Sequence, residues 1–81
     1  MHYDVVHVTP LDGHMIDVTF RDGKRGVFDM SGYLDLPIFR PLRNVGLFAC
    51  VKADHGTATW PGDIDIAPER LYTDCVPVGE A

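Results

Sequence analysis

Four histidines (His2, His7, His14, His55), two cysteines (Cys50, Cys75) and the pair Asp63 and Asp65 are the side chains whose chemistry invites a function. Zinc would need Cys or His at ligand spacing. Here no H-x-x-x-H or C-x-x-C pair exists. His7 and His14 are expected on adjacent antiparallel strands, where they can approach, and in a symmetric dimer either could meet its mate and make assembly pH-sensitive. Nucleophilic catalysis needs a nucleophile, a base and an orienting group in contact. Ser31, the one serine, reads as a helix cap. Cys50 reads as core, and Cys75 stands beside Asp74, whose charge works against a reactive thiolate. Asp63 and Asp65, two apart on an extended segment, share an exposed face. Used with a histidine, they are the basis of a rival reading as a small-molecule or metal-binding enzyme. The expectation is no catalytic residue, no metal ligand and no cofactor.

The stretch Thr57–Tyr72, TATWPGDIDIAPERLY, holds the remaining candidates. Trp60, Asp63, Asp65 and Tyr72 can line a surface that touches a protein partner, since Trp and Tyr are enriched in interface hot spots. Each also has a structural use. Pro61-Gly62 marks a turn. Ile64 and Ile66 alternate with the two aspartates, so the isoleucines can face inward. Pro68 suits the first helical position, Glu69 the helix dipole, and Asp65 the free amides at the helix start. Leu71 and Cys75 lie one turn apart.

These residues must be positioned by a small scaffold. A chain this short buries roughly 60–65% of its unfolded surface, so its core is small. Composition is that of a folded protein, 46% hydrophobic and 23% charged. The net charge is −5: residues 1–40 carry six acids and four bases, residues 41–81 six acids and three bases. Without a basic stripe, direct nucleic-acid binding has no electrostatic footprint. No leader pattern or long apolar run is present, so the expectation is a cytoplasmic protein off the membrane, with both thiols reduced.

The chain reads as one domain, 1–81. Residues 1–30 form a β-meander, with turns at Asp12-Gly13 and Asp22-Gly23. The second pair is expected to place both residues at positive φ. Residues 31–46 are irregular, because Pro37 and Pro41 forbid a long helix; Ser31 and Asn44 are candidate caps. Residues 47–60 are read as a hairpin with strands over 47–53 and 57–60, residues 61–75 as a turn and short helix from near Pro68 to Asp74, and 76–81 as a tail. The fold class is therefore α+β: a small antiparallel sheet of about five strands with a short C-terminal helix. The predicted core is Val6, Val8, Ile16, Val18, Phe20, Val27, Leu34, Phe39, Leu42, Phe48, Cys50, Ile64, Ile66 and Leu71.

FRDGKRGVFDM, FRPLRNVGLF and WPGDIDIAPERLY, in this order from Thr19 to Tyr72, resemble the bacterial domain of unknown function 2442. The resemblance implies a small α+β domain with no assigned catalytic residue or cofactor. Members of that family look like stand-alone proteins, some joined to a helix-turn-helix domain and others encoded beside a second small protein in the manner of toxin–antitoxin pairs. This chain departs from the pattern after Trp60-Pro61, where Gly62-Asp63 replaces the usual Asn-Gly, and at Asn44, where an aspartate is common. The expected function is a non-enzymatic protein-interaction module, a component of a toxin–antitoxin-like or regulatory complex. It would offer a sheet face or edge to its own copy or to a second protein, with its acidic balance suiting a basic one.

Overall fold

Seven strands and two short helices make up the computed structural model, which describes residues 3–78. The strands are β1 (Val5–Leu11), β2 (Met15–Phe20), β3 (Arg25–Asp29), β4 (Lys52–Asp54), β5 (Thr57–Trp60), β6 (Ile64–Asp65) and β7 (Val76–Pro77). The helices are α1 (Val45–Phe48) and α2 (Pro68–Asp74), and tight helical turns span Ser31–Tyr33 and Arg40–Arg43. The class is α+β with the expected N-terminal meander. The strands divide into two antiparallel sheets, ordered β1-β2-β3-β7 and β4-β5-β6.

The alternation of β2 decides the inner face of the larger sheet. Ile16, Val18 and Phe20 are buried, and pairing sets Phe28 and Gly26 beside Ile16 and Val18. Turn chemistry sets the register. At Asp22-Gly23 only the glycine takes positive φ, contrary to the expectation for both residues. The Phe20 amide donates to the Lys24 carbonyl at 2.8 Å and the Gly23 amide to the Phe20 carbonyl at 2.9 Å. That is a three-residue loop closed by a left-handed glycine, the next most common hairpin after the two-residue form.

Several core assignments need correction. The β1–β2 register slips between Val5 and His7. Val6 is the extra residue of the resulting bulge and is exposed, while Val5 takes the buried place. Val8 and Val27 are half-buried, Val27 because its neighbours Gly26 and Phe28 face inward. Phe28, Met30, Val51, Ala58, Trp60 and Cys75 join the core instead.

The strand predicted over 47–53 begins only at Lys52. Asn44 caps α1 as expected, its side chain accepting from the Leu47 amide at 3.0 Å. The amides of Ala49, Cys50 and Val51 then bond to carbonyls three or four residues back, which leaves them unavailable for a ladder. Phe48 is buried all the same, but Cys50 is exposed rather than core. Ser31 does not cap. Its own amide donates to the Asp29 carboxylate at 2.9 Å. The tail expected from Val76 onward pairs with β3, Val76 opposite Val27 and Pro77 opposite Gly26; residues 79–81 lie outside the described residues.

Candidate functional site

Trp60 is not displayed. It ends β5, is 3% exposed, and its Nε1 donates to the Phe48 carbonyl at 3.0 Å. Its ring stacks on Phe48 with centroids 5.9 Å apart. The candidate surface therefore loses its tryptophan: a side chain so buried cannot serve as a contact anchor without unfolding the hairpin.

Across the turn, Trp60 pairs with Ile64, and Gly62 and Asp63 both take positive φ. Ile64 and Ile66 are buried while Asp63 and Asp65 are exposed, as the alternation predicts. Asp65 does not cap α2; the capping position is Ala67, with no side-chain bond, and Pro68 opens the helix. Leu71 and Cys75 are both buried.

Tyr72 contacts a different part of the molecule. Its ring packs edge-on against Tyr3 and Phe20, its hydroxyl donates to the Asp22 carboxylate, and Lys24 Nζ lies 4.1 Å from the ring centroid. Lys24 Nζ also donates to the Tyr72 carbonyl at 2.7 Å. The Asp22 bond, which holds the proton on the phenol, raises the Tyr72 pKa. Tyr72 thus clasps α2 to the β2–β3 turn.

Asp63 and Asp65 do share a feature, an open groove of about 470 Å³ along the smaller sheet. It is lined also by Cys50, Lys52, Asp54 and His55. His55 has positive φ and pairs with Asp54 at 3.6 Å, an exposed contact of little energetic weight. Among the described residues, no three His, Cys, Asp or Glu side chains are placed to hold a metal ion. The expected approach of His7 to His14 is corrected. His7 is exposed opposite Thr19, whereas His14 turns its ring edge-on to Phe48 at 4.9 Å, with Nε2 buried and unpartnered. His2 lies outside the described residues.

The larger sheet carries a surface that the candidate residues did not include. Tyr33, Tyr72 and Cys75 meet this sheet at Phe28, Phe20 and Gly26, all on its buried face. The opposite face carries three rows: His7, Thr19 and Arg25; Thr9, Asp17, Val27 and Val76; Leu11, Met15 and Asp29. Leu11 and Val76 are exposed, Met15 and Val27 half-buried. Arg25 grips Asp17 in a two-bond fork of 3.1 and 2.7 Å, which raises its already high pKa. Strand alternation alone signals this face on β2; locating Val76 on it required knowing that β7 exists.

A two-sheet α+β domain with an open, mixed apolar and polar sheet face is the class defined here. The chain belongs to the family described as "Protein of unknown function (DUF2442)", whose model matches residues 5–77. No curated protein matches the chain, and no solved structure does. Among the described residues, no helix is long and apolar enough to cross a membrane.

Proposed function

We propose that the chain is a non-enzymatic protein-interaction module that docks through the outer face of its four-stranded sheet. The carrying observation is the row structure of that face, where Leu11, Met15, Val27 and Val76 lie beside the Arg25–Asp17 pair, with His7, Thr9 and Thr19 on its other side. Apolar side chains beside a satisfied ion pair suit a contact made mainly by packing. A face is favoured over an edge. Of the four edge strands, β6 and β7 have two residues each and β4 three, and Pro77 lacks an amide. At its start β1 is engaged as well, its Val5 amide donating to the Gly56 carbonyl at 3.0 Å. The partner is a second protein of a toxin–antitoxin-like or regulatory pair, or a second copy, and the net charge of −5 favours encounter with a basic one. The test is recovery of the tagged chain from its host at native expression, with hydrogen exchange on any complex. A stoichiometric partner that protects β1–β3 and is lost in L11E/V76E supports the reading. A lone monomer, or a partner indifferent to those changes, overturns it.

The groove favours a second reading. Asp63, Asp65 and His55 all line it, the side chains that the reading as a small-molecule or metal-binding enzyme would use, although among the described residues no three such groups are placed to hold a metal ion. A melting temperature raised by a divalent ion and lowered again by chelator would establish binding there.

A further inference from the structure

Charge counted by halves of the chain hides a local reversal. Residues 36–53 contain Arg40, Arg43 and Lys52 and not one of the twelve acids. On a chain of net −5 residues 36–45 carry +2 from Arg40 and Arg43, while Lys52 lies apart, on the groove of the smaller sheet. The same window holds three of the exposed large apolar side chains: Leu36 at 48%, Ile38 at 55% and Val45 at 70%.

The display is built, not loose. Amides of Leu36, Phe39, Leu42 and Asn44 each bond to the carbonyl three residues back, at 2.9–3.2 Å. Phe39 and Leu42 are buried and anchor the segment. Leu36, Ile38, Arg40, Arg43 and Val45 are then left outside. Arg43 Nε donates to the Leu34 carbonyl at 3.2 Å, and its NH2 meets the exposed Asp35 carboxylate at 2.5 Å. Arg40 donates to the Asp35 carbonyl at 3.1 Å, and no carboxylate pairs with it among the described residues. An exposed pair such as Arg43–Asp35 is easily exchanged for a partner's carboxylate.

We propose that the segment Leu36–Val45 is a second docking surface, for an acidic protein segment that also presents apolar side chains. Arginine forks carboxylates in two-bond geometry, and Leu36, Ile38 and Val45 supply the packing beside them. Its residues are distinct from those of the outer sheet face, so a chain using both would engage two partners.

The experiment places a photo-crosslinking amino acid at position 38 of the full chain in its host, with Thr9 on the sheet face and exposed Glu69 as comparison positions. The expected result is an adduct at 38, above that at 69, whose attached peptide is protein, net acidic and partly apolar. R40E/R43E should lower its yield about ten-fold or more, and R40K/R43K should largely keep it. Circular dichroism checks that each variant stays folded. Adducts at 38 no stronger than at 69 overturn the proposal. So do a basic or neutral peptide, a lipid adduct, a second copy, or an R40E/R43E yield equal to the parent's. The adduct at position 9 reports the sheet face separately, so either surface can fail alone.

Discussion

The indole nitrogen of Trp60 donates to the backbone carbonyl of Phe48 at 3.0 Å, tying the last residue of β5 to the end of α1. This bond joins the smaller sheet to the irregular connection, and the stacked rings close the gap beneath it. Both groups are buried, so the bond cannot be replaced by water.

Trp60→Phe should therefore cost about 0.5–1.5 kcal/mol, the net value of one hydrogen bond, because the Phe48 carbonyl still accepts from the Val51 amide at 3.2 Å. Trp60→Ala should cost about 3–5 kcal/mol, as expected for a core aromatic. Urea denaturation of both variants measures this. The partner affinity of folded Trp60→Phe should be unchanged, because the ring offers no surface.

Gly26 sits where β3 meets the end of α2. A Cβ there would lie 2.5 Å from Cys75 Sγ, and 3.0 Å from Cys75 Cβ and the Val76 carbonyl oxygen. Gly26→Ala should thus destabilise by about 1–3 kcal/mol through overpacking. Adding Cys75→Ala removes only the sulfur contact, so it should recover part of the loss. A double-mutant cycle in denaturant would show that coupling; strict additivity would contradict the contact.

The turn at Pro61-Gly62, the inward isoleucines and the start of α2 were legible because each residue's preference agreed with its neighbours', although the pairing of Ile64–Asp65 with β5 was not expected. Pro61-Gly62 turns the chain, the isoleucines alternate inward, and Pro68 opens the helix. Legibility failed where a local bond outweighed periodicity. Leu47 to Ala53 alternates plausibly as a strand, yet the Asn44 cap draws 45–48 into a helical turn. One bulge moved Val6 outward and Val5 inward. Site residues fared worse. Trp60 has the composition of a hot spot, but burial is a tertiary property, and Phe48 lies twelve residues away in sequence. The outer sheet face needs the β3–β7 pairing, a contact between distant parts of the chain that no local pattern announces.

The two thiols should differ sharply in reactivity. Cys50 is exposed and Cys75 is buried, and burial pushes the Cys75 pKa up. A thiol reagent at neutral pH should label Cys50 rapidly in the folded protein. Cys75 should react only through unfolding or local opening of α2, with a rate that climbs in urea. Intact mass against time would show one fast addition and one slow one. Equal rates would mean the end of α2 is open.

Tyr72 should make stability pH-dependent on the alkaline side through the clasp between α2 and the β2–β3 turn. Its folded pKa is raised, first by the bond to Asp22 and then by burial. A raised folded pKa gives stability that is fully present below the unfolded tyrosine value of about 10 and is lost as pH climbs through the folded value. The same sign holds for Cys75, whose loss begins lower, from an ordinary thiol pKa of about 8.5. Melting temperature should accordingly fall in two stages on the alkaline side. Tyr72→Phe should abolish the upper stage and lower the melting temperature slightly at neutral pH, because its hydroxyl bond is gone. Cys75→Ala should abolish the lower stage and keep the upper one. An alkaline profile unchanged by Tyr72→Phe would show that the Asp22 bond does not hold the phenol's proton.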